Sequence, residues 1–141
     1  MYIFAELGGV VAEILLAYMY LNSFFPKRPF LRRAMGCAYT VSGIILALLS
    51  MIPNAAFLRL AFYATSIGGI AYFFYQAEIR QAIYASISYC GLYVLNEMLV
   101  LGLFSLFHID ANVIMSFGTA RAISIVISHI LLWLCVLIVL A

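Results

Sequence analysis

The sequence predicts an all-α fold, a polytopic membrane helix bundle of about five transmembrane helices. Apolar residues make up 68% of the 141-residue chain and charged residues only 9%, whereas soluble domains are about half apolar and about a quarter charged. The apolar residues also come in successive runs of about twenty, the length at which a helix crosses the hydrocarbon core of a bilayer. These runs lack the in-out alternation of a membrane β-strand. Helices are therefore expected throughout.

Charged and helix-breaking residues divide the chain into spans. The first span ends at Pro26-Lys27-Arg28-Pro29, and the second follows Arg32-Arg33 and ends at the turn dipeptide Pro53-Asn54. A polar hinge, Ala77-Glu78-Ile79-Arg80, separates the third span from the fourth. The spans predicted on this basis are about 1–25, 34–52, 55–76, 81–107 and 122–141, and together they form a single transmembrane domain, 1–141.

The segment between the last two predicted spans has two interpretations. Asp110 can cap a short interfacial helix over residues 111–117, with a break at Gly118 before the fifth span. Alternatively, one long tilted helix runs from residue 111 to residue 141 and bends near Gly118. The break at Gly118 is the favoured interpretation, and the other stays open.

The distribution of cations predicts the orientation, because cationic loops remain in the cytoplasm. The loops after the first and third predicted spans hold five of the seven Lys and Arg residues. The N-terminus is therefore expected outside and the C-terminus in the cytoplasm, in a multi-pass protein of a plasma membrane. The five inner cations are Lys27, Arg28, Arg32, Arg33 and Arg80, and the two outer ones are Arg59 and Arg121.

Several classes of function are not expected. The net charge of +2 is too small to indicate a nucleic-acid partner, and the cations cluster at predicted membrane ends. The three cysteines, Cys37, Cys90 and Cys135, form neither a zinc pattern nor a disulfide framework. Hydrolase and peptidase motifs are not found. No catalytic residue, metal or cofactor is predicted, and this chain alone is not expected to be an enzyme.

Ionisable residues within the predicted spans are the informative ones, because each costs about 2.5 to 3.5 kcal/mol at mid-bilayer on insertion scales. They fall at two depths. Nearer the predicted outer surface is a candidate ligand-binding pocket, which consists of Glu6, Arg59 and Arg121. Near the middle of the spans is a candidate intramembrane polar core, which consists of Glu13, Asn96, Glu97 and His129.

Glu6 and Glu13 stand two helical turns apart, so they share one face of the first span, which is expected to turn into the bundle. Three interpretations of the polar groups stay open: a ligand or sensing pocket, an ion or proton path, or polar contacts that only hold helices together. In the third interpretation, Glu6 pairs with an arginine. Glu97 then pairs with His129 or with Asn96.

The sequence also resembles a known family. The residues that carry the resemblance are the early glutamate of the first span, the span end Ser23-Phe24-Phe25-Pro26-Lys27-Arg28 with the cationic loop after it, and the stretch from Asn96 to Phe104 in the fourth span. This order is similar to the N-terminal transmembrane sensor domain of peptide-sensing bacterial histidine kinases of the accessory-gene-regulator type, which carry a GHKL ATPase domain. The resemblance covers the whole chain.

The resemblance implies a two-component sensor. An extracellular signal, often a peptide or small ligand, would bind the outer face, and the last helix would pass the change to a cytoplasmic kinase, in a homodimer. The chain departs from the family in two respects. It carries neither a phosphoacceptor helix nor ATP-binding motifs, and sensors of the family often have six or seven spans. His129 lies within a span, so it is not expected to be a phosphorylated histidine.

The leading prediction is therefore a membrane sensor or receptor domain, with the lipid bilayer as its surroundings. An alternative is a small proton-coupled transporter or channel that uses Glu13 and Glu97. A second alternative is a structural or assembly subunit, in which the buried charges only connect helices.

Overall fold

The computed structural model describes residues 2–52, 56–107 and 119–140. Within these ranges the chain forms five α-helices and one short 3₁₀ helix, and no β-strand is present there. The helices are α1 (Tyr2–Phe24), α2 (Arg32–Ser50), α3 (Ala56–Phe74), α4 (Ile79–Leu106) and α5 (Thr119–Leu140), and the 3₁₀ helix is Pro29–Leu31.

The helices confirm the prediction of an all-helical protein with membrane-length apolar segments. In the described ranges, α1 to α4 each contain a stretch long and apolar enough to cross a membrane, and α5 contains a shorter apolar stretch, Ala122–Ile138. A fifth span and the orientation of the chain stay predictions. The predicted interfacial helix 111–117, the bend at Gly118 and the turn at Pro53-Asn54 lie outside the described residues.

Two helix ends differ from the predicted bounds for local reasons. Helix α4 begins at Ile79, inside the predicted hinge, because Gln81 Oε1 accepts a hydrogen bond from the backbone N–H of Glu78 at 2.9 Å. This contact satisfies an N-terminal donor in the manner of a capping box. Helix α2 ends at Ser50, before the predicted residue 52. The backbone N–H groups of Met51 and Ile52 donate three residues back, which tightens the last turn.

The chain divides into two compact units, Met1–Glu13 with Gly91–Ala141, and Ile14–Cys90. The first is called unit 1 and the second unit 2. Helix α1 contributes its first half to unit 1 and the rest to unit 2, and α4 contributes its first half to unit 2 and the rest to unit 1. The prediction of one transmembrane domain stays a prediction.

Unit 2 is held together by aromatic rings and by paired connections. Helix α2 packs against α3, and Tyr89 contacts the rings of both Tyr20 and Tyr63, at centroid distances of 5.3 and 5.9 Å. The connection between α1 and α2 pairs with the residues after α3, since the Gln76 backbone N–H donates to the Pro26 carbonyl at 2.9 Å. The end of α3 is therefore fixed against the cationic loop.

Unit 1 has a buried stripe on each of its helices, with buried residues three or four positions apart, as expected for one face of a helix. Polar side chains interrupt these stripes. Val100 and Phe104 of α4 form an apolar cluster with Ile127 and Leu131 of α5. The buried residues of unit 1 include Glu6, Val10 and Glu13 of α1, Asn96, Val100 and Phe104 of α4, and Ser124, Ser128, Leu132 and Val136 of α5.

Candidate functional site

Five polar residues of unit 1 form the candidate site and are called the polar cluster. They come from three helical segments of that unit. Their positions follow from the stripes, since each glutamate, amide, hydroxyl or imidazole occupies or borders a buried position of its helix. The polar cluster consists of Glu13 of α1, Asn96 and Glu97 of α4, and Ser128 and His129 of α5.

The buried carboxyl group of Glu13 contacts the imidazole of His129. Glu13 is 0% exposed, and its Oε1 lies 3.4 Å from His129 Nε2. The other ring nitrogen of His129, Nδ1, lies 2.6 Å from the backbone carbonyl oxygen of Ile125, one turn earlier in α5. Nδ1 of the ring is therefore held by the α5 backbone, and Nε2 lies at ion-pair distance from the carboxyl group of α1.

These contacts determine where the protons of the pair lie. The Ile125 carbonyl can only accept, so Nδ1 of His129 carries a hydrogen and donates it. Nε2 then faces Glu13 either as a lone pair opposite a protonated carboxyl group or as an N–H opposite a carboxylate. In both arrangements the two groups hold one proton, on Nε2 or on the carboxyl group, and the pair is neutral overall. Gain or loss of a proton therefore leaves a net charge in an apolar environment, which is costly.

Asn96 connects α4 to α5. Its side chain is 0% exposed, and Nδ2 donates to the backbone oxygen of Ser128 at 3.0 Å and to Ser128 Oγ at 2.8 Å. The backbone oxygen only accepts, so it fixes the orientation of the amide. Ser128 Oγ in turn donates to Oε1 of Glu97 at 3.3 Å. Among the described residues, Oδ1 of Asn96 has no hydrogen-bond partner.

Consecutive residues of α5 thus contact different helices of unit 1. Ser128 accepts hydrogen bonds from α4, and His129 contacts the Glu13 carboxyl group of α1. Neighbouring residues on a helix point about 100° apart, which allows one dipeptide to reach two neighbours. The middle of α5 is therefore in polar contact with both of these neighbours.

Glu97 lies in a different environment from Glu13. Its side chain is exposed, although it accepts the hydrogen bond from Ser128, and it is flanked by the exposed side chains of Met98 and Leu99. If α4 crosses a bilayer, this carboxyl group lies at a surface where polar side chains usually meet another helix or a water-filled path. The predicted polar core therefore has a buried part around Glu13 and an exposed part at Glu97.

A groove of about 540 Å³ lies beside His129, between the first half of α1 and α5. We call it the α1–α5 groove. Small residues and the exposed Phe4 form the α1 wall, large apolar side chains form the α5 wall, and the His129 ring adds a polar group. The α1 wall includes Ala5, Gly8, Gly9 and Ala12, and the α5 wall includes Ile125, Val126, Ile130, Trp133 and Leu134.

Gly9 permits the close approach of the His129 ring to α1. A Cβ atom on Gly9 would lie 2.9 Å from His129 Cε1 and 3.1 Å from Nε2. The neighbouring Gly8 faces open space, since a Cβ there meets nothing within 4 Å. The sequence alone does not distinguish these two glycines, because their roles depend on the rotation of α1 against α5.

The predicted outer pocket is only partly described. Glu6 is buried at 5% exposure in unit 1, in agreement with the expectation that Glu6 and Glu13 share an inward face. Arg59 is half-buried and belongs to unit 2. Arg121 lies in α5, and its side chain falls outside the described residues. A ligand pocket formed by these three residues stays a prediction.

Ser128 is the member of the polar cluster that the sequence did not identify as a candidate. A serine costs little in an apolar helix, so it gives a weaker signal than a glutamate or histidine does. A usable signal is present nevertheless. Ser124, Ser128, Leu132 and Val136 recur every four residues, which marks the buried face of α5 and places both serines on it.

Replacing Asn96 with Leu is expected to lower the free energy of unfolding by about 1 to 2 kcal/mol, because two buried hydrogen bonds to Ser128 are lost. Ser128→Ala should cost less than about 1 kcal/mol, since the backbone oxygen of residue 128 still accepts from Asn96. Ser105→Ala, at an exposed position of α4, is the control. Denaturant unfolding in mixed micelles measures all three, and equal costs for the first two variants would contradict the assigned contacts.

The fold and the site define a class of protein, an all-helical protein with membrane-length apolar helices and a polar cluster among them. Comparison of the chain with models of protein families, with curated proteins and with solved structures finds no match. The function is therefore argued from the contacts of the described residues.

Proposed function

We propose that this chain is the membrane sensor domain of a signalling protein, in which α5 carries the signal and the polar cluster is the switch. The observation that supports this most is the attachment of α5 to two neighbouring helical segments through the adjacent residues Ser128 and His129. Polar contacts of this kind are either made or broken. They give a packed helix two discrete positions rather than a continuous range.

The proposed topology has five spans, with the N-terminus outside and the C-terminus in the cytoplasm. It rests on the five cations of the loops after the first and third predicted spans, against two on the other side. In this orientation the end of α5 emerges in the cytoplasm, where an attached kinase could respond to it. The proposed location is a bacterial plasma membrane, and the proposed assembly is a homodimer.

The α1–α5 groove supports a ligand-responsive α5. A ligand shifts a two-state equilibrium only through contacts that differ between the two states. An apolar group that enters the groove would touch α5 and lie beside His129, so it would act on the side chain that contacts Glu13. The resemblance to peptide-sensing kinases makes an extracellular peptide or small ligand the proposed signal.

A chimaera tests the proposal. The full chain is joined after Ala141 to the catalytic region of a histidine kinase, and basal autophosphorylation is measured in membrane vesicles. We expect His129→Ala and Glu13→Leu to change this activity several-fold, because each removes one partner of the contact that holds α5 to α1. Ile123→Ala, at an exposed position of α5 outside the groove, should leave it unchanged. Unchanged activity in both cluster variants, at normal membrane levels, would rule out the switch.

The second candidate function is a proton-coupled transporter or channel. The specific observation in its favour is the 3.4 Å distance between Glu13 Oε1 and His129 Nε2, since proton-coupled transporters use ionisable pairs in their spans. It predicts pH-driven flux in liposomes that hold the purified protein, with Glu13→Gln abolishing it and Ser105→Ala leaving it intact. Flux without any kinase response would favour this function. The absence of both effects would favour the structural subunit.

A further inference from the structure

We infer that the connection between α1 and α2 forms a binding site for a phosphate-bearing anion, and that the ligand is the head group of an anionic phospholipid. The site is a cavity of about 360 Å³ in unit 2. Its lining residues are Lys27, Arg28, Pro29 and Met35. The inference rests on the proposed membrane topology, but the switch at the polar cluster makes no use of a lipid bound here, so the test below can fail while the switch stands.

The loop that carries the two cations is fixed by hydrogen bonds. Its backbone pairs with the end of α3, since the Arg28 N–H donates to the Phe74 carbonyl at 3.0 Å and the Gln76 N–H donates to the Pro26 carbonyl at 2.9 Å. Lys27 forms an isolated antiparallel bridge with Tyr75. A cationic segment that served only to orient the chain would not require such anchoring.

Each cation is held in place with donors to spare. Lys27 Nζ donates to the Tyr18 hydroxyl and lies 4.4 Å from the centroid of the Tyr18 ring, which engages one of its three N–H bonds. Arg28 Nε donates to the Tyr75 backbone oxygen at 3.1 Å. Its two terminal NH₂ groups are directed by that bond and match the oxygens of a phosphate group.

The surroundings of the cavity are positive. The phenol of Tyr75, whose backbone holds Arg28, carries no negative charge at neutral pH, because phenols ionise only near pH ~10. The first turn of α2 contains no acidic residue, and its N-cap residue, Leu31, makes no side-chain capping bond. The N-terminal end of α2 therefore adds positive potential close to the two cations. Unit 2 contains six of the seven Lys and Arg residues of the chain, and Glu78 is the one carboxylate in its sequence.

The position of the cavity favours a lipid rather than a soluble anion. It lies between the end of α1 at Phe24 and the start of α2 at Arg32. If these two helices cross the membrane, the cavity lies at the depth of the phospholipid phosphates, where Lys and Arg attract anionic lipids. The partly apolar lining, with Pro29 and the buried Met35, suits the glycerol region of such a lipid.

Native mass spectrometry of the full chain, released from micelles that contain equal phosphatidylglycerol and phosphatidylcholine, tests the inference. We expect preferential retention of phosphatidylglycerol, and about a 25-fold loss of affinity in the double variant Lys27→Gln/Arg28→Gln, about fivefold for each cation. The matched control is Arg33→Gln/Arg80→Gln, which removes the same charge from exposed positions of unit 2 and should lose less than about threefold.

Two further measurements address a double variant that does not fold and a ligand that is a soluble phosphate. If the double variant does not fold, Lys27→Gln alone retains the Arg28 bond to Tyr75 and should still show the fivefold loss. Inorganic phosphate is added as a competitor. If it displaces phosphatidylglycerol at millimolar concentration, the anion site stands and its ligand is a soluble phosphate. Equal losses in the two double variants, or equal retention of the two lipids, would overturn the inference.

Discussion

Replacing Glu13 with Gln is expected to leave the protein about as stable as the wild type near neutral pH, and to remove a loss of stability that we expect the wild type to undergo at alkaline pH. In the wild type, loss of the shared proton leaves a carboxylate facing the lone pair of His129 Nε2 in a buried site. A Gln side chain instead donates its amide hydrogen to the same lone pair and has no proton to lose in this range. The alkaline decline should therefore disappear.

The loss of stability at acid pH should persist in both the wild type and the Glu13→Gln variant. A second proton converts the neutral wild-type pair into a buried cation, and a proton on His129 does the same in the Glu13→Gln variant. Stability therefore falls on acidification in each case. Thermal unfolding from acid to alkaline pH, in one detergent, measures both limbs. An unchanged alkaline limb in Glu13→Gln would show that another group titrates there.

A double-mutant cycle measures the strength of the pair itself. Glu13→Leu and His129→Leu each leave one buried polar partner, whereas the double variant leaves neither. We expect a coupling free energy of about 1 to 2 kcal/mol near neutral pH, at the upper end for polar contacts between membrane helices. A coupling near zero would mean that the 3.4 Å contact contributes nothing to stability.

Gly9→Ala is expected to lower the free energy of unfolding by about 1 to 3 kcal/mol relative to Gly8→Ala. Both changes gain similar helix propensity, so their difference isolates the steric effect. The new methyl group at position 9 would meet the His129 ring at 2.9 Å. The ring can retreat only by lengthening its bonds to Glu13 and to the Ile125 carbonyl. The methyl group at position 8 faces open space.

A second substitution, His129→Ala, tests whether the destabilisation by Gly9→Ala comes from the His129 ring. If the cost of Gly9→Ala arises from the His129 ring, it should shrink to the Gly8→Ala value in a protein that already carries His129→Ala. Denaturant unfolding of the single and double variants measures this. A cost that persists without the ring would indicate that Ile125, whose Cγ2 lies 3.3 Å from the added Cβ position, is the obstacle.

The helices were predictable because hydropathy is a local property of the chain. Each apolar run of about twenty residues forms a helix wherever it packs, so α1 to α4 lie close to their predicted bounds. The positions of helix ends depend less on local hydropathy. The Gln81 side chain moves the start of α4 to Ile79, and a tightened last turn ends α2 at Ser50. Both depend on single hydrogen bonds that hydropathy does not report.

The polar cluster was predictable in composition and less so in its contacts. A glutamate or a histidine in an apolar helix is conspicuous because it is costly there, which identified Glu13, Glu97 and His129. Which residues meet depends on the rotation and neighbours of each helix. The structure places His129 against Glu13, and it places Ser128 between Asn96 and Glu97. These are tertiary contacts, which the spacing of residues in one helix does not determine.

The proton arrangement at His129 is tested most directly by nitrogen NMR of the ring. The chain has two histidines, so ¹⁵N-histidine labelling of a His108→Gln protein in micelles reports His129 alone. We expect Nδ1 to remain protonated at every pH from acid to alkaline, because it donates to the Ile125 carbonyl. Nε2 should change between neutral and alkaline pH in the wild type but not in Glu13→Gln. A neutral ring with its hydrogen on Nε2 and none on Nδ1 would contradict the shared proton and the switch built on it.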